Sequence, residues 1–397
     1  MAGFGTNRPD EHSATVASAR FHIYTARLLR SLAGGCISLI LCFLLYIVFD
    51  INVLDHLAPQ EDETDVINYF YSIENRRPDA ASYSCFYDDR IVLFDLEGTQ
   101  SRGVIAAAIE RIDSCAPAAI LLDVIFPQAA AADAAEDRRL REAVTGARNL
   151  YTACRMTDSG TERSFFAADG TVAEGLANRT FYYRPAEIVQ GDTIGYLPYL
   201  AAGVAGTPDP NRTVNYFDKE FLRTGISEPL CPDDIRGRFV LVGDLQDLRD
   251  THDMPFRIGG TYRVPGTVLM AHTLSTILHD TWVVKLPAAW GAAVALVLAV
   301  AFTYFCYSLR ENDRLNRRWS DFIEGAARIL LILLLMLAGY CLFSKYGVIL
   351  NLVYTMLALA LTGFAADIVE LAEWVRAKHR GRKHTGKTTV KDETNHT

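Results

Sequence analysis

Four long apolar stretches constrain the fold of this chain more than any other feature. They occupy residues 31–49, 287–308, 326–344 and 347–367 of the 397-residue sequence. Each is close to the ~20 apolar residues that a helix needs to cross a bilayer. The sequence therefore predicts a four-span α-helical membrane region, with one large domain, residues 50–286, inserted between the first and second spans.

Basic residues lie on one side of all four predicted spans. The net charge of −8 averages an acidic middle with basic segments at residues 1–30, 309–325 and 368–397. Because Lys and Arg are retained in cytoplasmic segments, we expect these three to be cytoplasmic and the large domain to lie on the far side. The tail is predicted to be disordered and to touch anionic lipid rather than nucleic acid.

The first apolar stretch has an alternative interpretation as a cleaved signal peptide. A cleavage site of the small-x-small type should then follow it. The stretch instead continues into Asp50-Ile-Asn-Val-Leu-Asp55. An uncleaved membrane anchor is therefore favoured.

Strand and helix signals alternate along the large domain. Apolar runs end at Phe94, Leu122 and Ala153, and helical periodicity covers Arg102–Ser114 and the segment from Asp133 to Gly146. This order is typical of parallel strands joined by crossover helices. The predicted fold class is an α/β extracytoplasmic domain with a mixed, mostly parallel sheet flanked by helices.

A further apolar run, Phe239–Val242, ends at Gly243 and opens an Asp-rich loop. A helix predicted at Val268–Leu278 follows and leads into the second span. On that helix, His272, Ser275 or Thr276, and His279 share a face that we interpret as solvated.

Acidic residues follow three of the predicted strands. Asp95, Asp123 and Asp244 stand at carboxyl ends, where open α/β sheets bind ligands, and Asp250 and His252 lie in the Asp-rich loop. Two interpretations remain open: a shared ligand or ion site, or side chains that cap helices and fix loops. The spacing does not match an EF-hand, so no metal ion and no other cofactor is predicted.

Signatures of catalysis are missing from the sequence. It contains no P-loop, dinucleotide fingerprint, HExxH or Gly-x-Ser-x-Gly motif, so we expect no enzymatic activity. Outside the cytoplasm, Cys85, Cys115, Cys154 and Cys231 allow one or two disulfides, and the connectivity stays open.

An ordered set of short motifs carries a family resemblance. The middle of the chain resembles a CHASE2 domain, the extracytoplasmic sensor module of bacterial membrane signalling proteins. The matching positions are Ile91–Asp95, Ile120–Phe126, Val214–Tyr216, Gly237–Gly243, Asp250–His252 with Pro255, and Val264–Gly266. Two positions depart from the family pattern: Gln100–Gly103 is shorter than usual, and Met270-Ala-His272 replaces His-Ala-Asn.

The resemblance implies a sensor in the bacterial inner membrane with its large domain in the periplasm. No output domain is expected after the last span, so the signal is expected to reach a separate cytoplasmic signalling or envelope partner, or to act through a homo-oligomer. The alternative is a structural or docking subunit of a cell-envelope complex that binds no ligand. An enzyme acting on envelope material is a third hypothesis.

Overall fold

The computed structural model describes residues 10–49, 66–76, 87–128, 134–157, 160–167, 170–178, 180–311, 316–350 and 352–392. These form two compact units. The α/β unit comprises the described residues of Asp65–Lys285 together with Tyr340–Ile349. The helical unit comprises those of Met1–Thr64, Leu286–Gly339 and Leu350–Thr397.

The helices are α1 Asp10–Phe49, α2 Val66–Glu74, α3 Arg102–Ser114, α4 Ala134–Gly146, α5 Leu197–Ala201, α6 Pro232–Ile235, α7 Gly266–His279, α8 Ala288–Arg310, α9 Arg317–Tyr346 and α10 Val353–Asp392. The strands are β1 Tyr87–Asp95, β2 Ala119–Leu122, β3 Leu150–Thr157, β4 Gly160–Glu162, β5 Ala173–Leu176, β6 Tyr182–Tyr183, β7 Ala186–Val189, β8 Asp192–Gly195, β9 Asp209–Thr213, β10 Glu220–Gly225, β11 Phe239–Gly243, β12 Thr251–Ile258, β13 Thr261–Pro265, β14 Val283–Lys285 and β15 Val348–Ile349.

A seven-stranded sheet organises the α/β unit. Its order is β10-β1-β11-β2-β3-β4, and β5 also pairs with β3. Every pairing is parallel except that of β4 with β3. The mostly parallel α/β fold predicted from the sequence is therefore confirmed. Smaller sheets join β12 to β13, β7 to β8, and β15-β14-β9-β6.

Alternating residues of the central strands enter two separate apolar clusters. Val92 and Phe94 of β1 pack in a cluster with α3 and α4. Ile91 and Leu93 pack on the opposite face in a cluster that contains α7. Because successive side chains of a strand point to opposite faces, a continuously apolar strand marks a sheet covered on both sides.

The prediction for the polar face of α7 is wrong. His272, Ser275 and Thr276 are fully buried. The face is covered by polar partners distant in sequence: the ammonium of Lys219 donates to the hydroxyl of Ser275 at 3.0 Å, and the backbone N–H of Asn215 donates to the hydroxyl of Thr276 at 3.1 Å. The polar spacing on this helix therefore indicates contact with other parts of the domain rather than exposure to solvent.

The helical unit contains four helices long and apolar enough to cross a membrane, at Ile23–Leu45, Ala289–Arg310, Arg317–Tyr346 and Val353–His379. Within this unit α1, α8 and α10 contact one another. A side chain at Gly35 would place its Cβ 2.5 Å from Cγ2 of Val300 on α8. Small residues of this kind let membrane helices approach closely.

Three segment predictions need correction. Residues 347–349 do not begin the fourth span: Val348 and Ile349 form β15, and α10 starts at Val353. Within the basic segment 309–325, α8 ends at Arg310 and α9 begins at Arg317, and residues 312–315 lie outside the described ones. The tail 368–397, predicted to be disordered, is helical as far as Asp392, and residues 393–397 lie outside the described ones.

The cysteines of the α/β unit are reduced where the structure describes them. Cys115, Cys154 and Cys231 are free thiols. Cys115 and Cys154 are buried in the two separate apolar clusters, and Cys231 is exposed. The suggested disulfides therefore do not form among these three, and Cys85 lies outside the described residues.

Candidate functional site

The carboxyl ends of three neighbouring parallel strands bring together the first three predicted site residues. Asp95 ends β1 and is in register with Gly243 of β11. Asp244 follows that glycine, and Asp123 follows β2, with its backbone N–H donating to the carbonyl of Val242 at 2.8 Å. One edge of the sheet therefore carries three aspartates from adjacent strands.

The carboxylates of Asp95 and Asp244 already accept hydrogen bonds from the loops that follow β1 and β11. One carboxylate oxygen of Asp95 accepts the N–H groups of Glu97 and Leu245 at 2.9 and 3.1 Å, and the other accepts the amide of Gln246 at 3.3 Å. Asp244 accepts the N–H of Gln246 at 3.0 Å. For these two residues the structure favours loop fixing over ligand binding.

Asp123 has a different environment. Its Oδ2 accepts a hydrogen bond of 2.7 Å from the hydroxyl of Thr267, the second residue of α7. Burial raises the pKa of Asp123 to about 7, and the nearby charge of Asp250 adds to the rise, whereas the Thr267 hydrogen bond and the charge of Arg155 oppose it. This carboxyl group therefore changes protonation near neutral pH, directly beneath the start of a helix.

Asp250 lies on the other side of the same helix start. It ends the 3₁₀ turn Leu248–Asp250, and a Cβ added at Gly266 would lie 3.0 Å from its Oδ2. The residue as a whole is exposed, but partial burial of its carboxylate raises the pKa, while the charge of His252 lowers it. The two carboxyl groups at the start of α7 thus share a shift toward the neutral form.

Gly243 makes the approach of α7 to the strand edge feasible. A Cβ at this position would lie 2.3 Å from the hydroxyl oxygen of Thr267. Any side chain there would displace Thr267 from Asp123. The glycine that ends β11 therefore has a steric function in the site.

His252 lines a cleft beside these carboxylates. The cleft is small and partly open to solvent. Its wall also includes Thr180, Tyr196, Gly266 and Thr273. The other four predicted site residues do not line it, so the structure separates the prediction into an acidic edge and an adjacent cleft that meet at the first turn of α7.

Metal binding gains no support from the geometry. Across the ranges that the structure describes, His, Cys, Asp and Glu side chains form no cluster of three or more positioned to hold a metal ion. What the described arrangement does provide is a carboxyl group that is hydrogen-bonded to α7 and whose charge depends on one proton.

Sequence reasoning missed two residues of this edge. Thr267 was not singled out, although the Pro265-Gly266 pair before it marks the start of a helix. Arg155, near the end of β3, contributes positive charge to both Asp123 and Asp250. Only the parallel order of β2 and β3 brings it to the same edge.

The family model of the CHASE2 domain matches residues 87–305, more than half of the chain. The chain belongs to the CHASE2 domain family. CHASE2 domains are extracellular sensor domains, and together with the four apolar helices the match fits a multi-pass membrane protein. The matched range contains all five predicted site residues and ends within α8. No curated protein and no solved structure matches the chain.

Proposed function

We propose that this protein is a sensor of the bacterial inner membrane whose CHASE2 domain lies in the periplasm and passes a signal through its transmembrane helices to a separate partner protein. One observation carries the proposal. The first turn of α7 binds Asp123 through Thr267, and the chain continues from the end of α7 through β14 into α8. A single helix thus connects the acidic edge with a membrane span.

The mechanism follows from the charge at that edge. When Asp123 is ionised, its negative charge lies at the helix start, where the partial positive charge of the α7 dipole favours it. Protonation or a bound ligand changes this balance and the hydrogen bond with Thr267. A change in the position of α7 is the expected consequence, and β14 connects α7 to α8 in the chain.

The orientation is tested by thiol labelling of intact cells. Cys231 is exposed in the α/β unit, so it serves as the reporter in a chain whose other cysteines are replaced. A membrane-impermeant maleimide should label Cys231 in intact cells. A single cysteine at Lys378→Cys in the basic tail should be labelled only after lysis. The reverse pattern contradicts the proposed topology.

Signal transfer is tested by comparing the proteins that co-purify with the full chain from membranes. Asp123→Asn keeps an acceptor for Thr267 but removes the charge. Asp89→Asn, an exposed position of β1, is the matched control. Coupling between two sites commonly changes an affinity by about fivefold or more. We expect such a change in the amount of a cytoplasmic signalling protein recovered with Asp123→Asn, and none with Asp89→Asn.

A docking subunit of an envelope complex remains the second candidate. The loop hydrogen bonds that occupy Asp95 and Asp244 favour it, because they leave less of the strand edge open to a ligand. A docking function predicts the same partner in the same amount for wild type and Asp123→Asn.

A further inference from the structure

Residues Tyr340–Ile349 belong to the α/β unit, although they join the third span to the fourth. They lie beyond the residues matched by the CHASE2 model. We call Tyr340–Ile349 the hairpin tip. The domain is therefore completed by a segment that its family model does not include and that the sequence divided between the third and fourth predicted spans.

A parallel strand pair anchors the end of the tip. Val284 and Lys285 of β14 pair with Val348 and Ile349 of β15. The N–H of Val284 donates to the carbonyl of Gly347 at 2.7 Å. Since β14 is the last strand before α8, the residues that enter the second span are hydrogen-bonded to those that separate the third from the fourth.

An aromatic contact anchors the other end. Phe343 is 0% exposed. Its ring centre lies 5.4 Å from that of Phe70, 5.0 Å from that of Tyr71 and 5.0 Å from that of Phe217. Aromatic pairs at such distances are stabilising beyond the burial of their area. Phe70 and Tyr71 lie on α2, which follows the first span in the chain.

Phe343 is expected to contribute most of the free energy that holds the hairpin tip in the α/β unit. A two-residue strand contributes little alone, whereas truncating a buried Phe to Ala typically costs about 3–5 kcal/mol. Three elements thus meet inside one folded unit: α2, which follows the first span, β14, which precedes the second, and the hairpin tip, which separates the third from the fourth.

Contacts continue from the tip toward the acidic edge. The hydroxyl of Tyr71 donates to the carbonyl of Val214 and accepts from the N–H of Tyr216, both at 3.2 Å. Asn215 between them donates to Thr276 of α7. The first turn of that helix holds Asp123. Packed and hydrogen-bonded groups therefore join the tip to α7 without a break.

We propose that the hairpin tip is an integral element of the CHASE2 domain and couples α7 directly to the third and fourth spans, in parallel with the covalent route through α8. The proposal rests on the sensing function. It assigns Phe343 as the anchoring residue and β15 as the register-setting strand of this second route.

Disulfide trapping in the full chain tests it. Paired residues of neighbouring strands lie within the Cα separation that a disulfide spans. In a chain without native cysteines, carrying a protease site within residues 312–315, Val284→Cys and Val348→Cys should cross-link in membranes and hold the two fragments together after cleavage. Val283→Cys with Val348→Cys is the control, because side chains of adjacent strand residues point to opposite faces.

Two further arms test the coupling. Asp123→Asn should change the cross-linking rate of the Val284–Val348 pair about fivefold or more, the size typical of coupling between two sites, and Asp89→Asn should not. Phe343→Ala should remove this response and lower the unfolding temperature. Phe343→Leu should restore part of both, and Leu337→Ala, an exposed position of the same helix, should alter neither.

Two results would overturn the proposal: no cross-link above the Val283 control, or cross-linking at the same rate with and without Asp123→Asn. None of these measurements requires a partner protein. The absence of a cytoplasmic partner would therefore contradict the proposed function and leave the role of the tip standing.

Discussion

The two faces of the central sheet are built from the same strands and differ in chemistry. The face covered by α3 and α4 is mostly apolar, and the buried Asp137 of α4 is paired there with Arg102 of α3. The face covered by α7 also buries Asn215, Lys219, His272, Ser275 and Thr276. It is this second face that holds the acidic edge, the cleft and the hairpin tip.

The difference indicates that the two faces of the sheet have different roles. Apolar packing stabilises a fold in proportion to the area buried and is insensitive to pH. Buried polar groups cost free energy unless they are paired, and their pairing depends on protonation and on small movements. Under the proposed function, the α3–α4 face is the stable base, and the α7 face is the side on which a signal would act.

The largest expected effect is a loss of stability caused by a cavity in the α3–α4 face. Phe94 is 1% exposed in the α3–α4 cluster, and Phe94→Ala should destabilise the α/β unit by about 3–5 kcal/mol through the cavity it leaves. Val104→Ala, at an exposed position of α3, should be nearly neutral. Thermal unfolding of the purified full chain in lipid nanodiscs measures both. Equal midpoints for the two variants would contradict a tightly packed base.

The α3–α4 face is also the part that could be predicted from the sequence. The helix expected at Arg102–Ser114 is found with those bounds. The strands that end at Asp95, Leu122 and Gly243 are found as well. Here the apolar period and the turn residues act locally, within one element or between neighbours in the chain.

The α7 face could not be predicted in the same way. The partners that bury its polar side chains, Lys219 and Asn215, are separated from α7 in the sequence by four strands and the short helix α6. Phe343 lies in a predicted span, where an apolar residue is expected to face lipid. The acidic edge was half predictable. Strand ends located Asp95, Asp123 and Asp244, but what distinguishes Asp123 is its hydrogen bond with Thr267 of α7, a residue far away in the sequence.

The second prediction uses pH to separate the two faces. Asp123 holds its proton more tightly in the folded state, with a pKa of about 7, than in an unfolded chain, where 3.8 is usual. The stability it contributes is therefore complete below about pH 4 and is lost as pH rises through 7, by an amount on the order of a few kcal/mol. Unfolding temperatures of the full chain from pH 4 to 8 should show this fall.

Asp123→Asn should flatten that profile, because an amide stays neutral across the range. Phe94→Leu should lower the midpoint at every pH and keep the slope. A slope that survives in Asp123→Asn would assign the pH dependence to other groups, with Asp250 and Asp218 next to be tested, since burial raises the pKa of both.

The smallest expected effect compares two histidines on α7. His272 is fully buried, and its ring nitrogens make no hydrogen bond of full geometry in the described structure, although the backbone of Asn215 lies close enough to oppose the lowering of its pKa. Burial, together with the charge of Lys219, lowers its pKa to about 3, so the ring is neutral at physiological pH. His279 differs: its Nε2 lies 3.1 Å from the fully buried carboxylate of Asp88.

Substitution by Leu should therefore change the stability of the protein in opposite directions at the two histidines. His272→Leu replaces a buried ring without a hydrogen bond of full geometry by an apolar side chain and should raise stability by about 1 kcal/mol. His279→Leu removes the partner of Asp88 Oδ2, while Oδ1 still accepts the N–H of Arg90, and should lower stability by about 1–3 kcal/mol. Thermal midpoints of the two variants, measured side by side, decide the matter. If His272→Leu lowers stability more than His279→Leu does, the His272 ring has a hydrogen-bond partner that stabilises the α7 face. The buried polar groups of that face are then fully paired, which contradicts a face that responds to protonation.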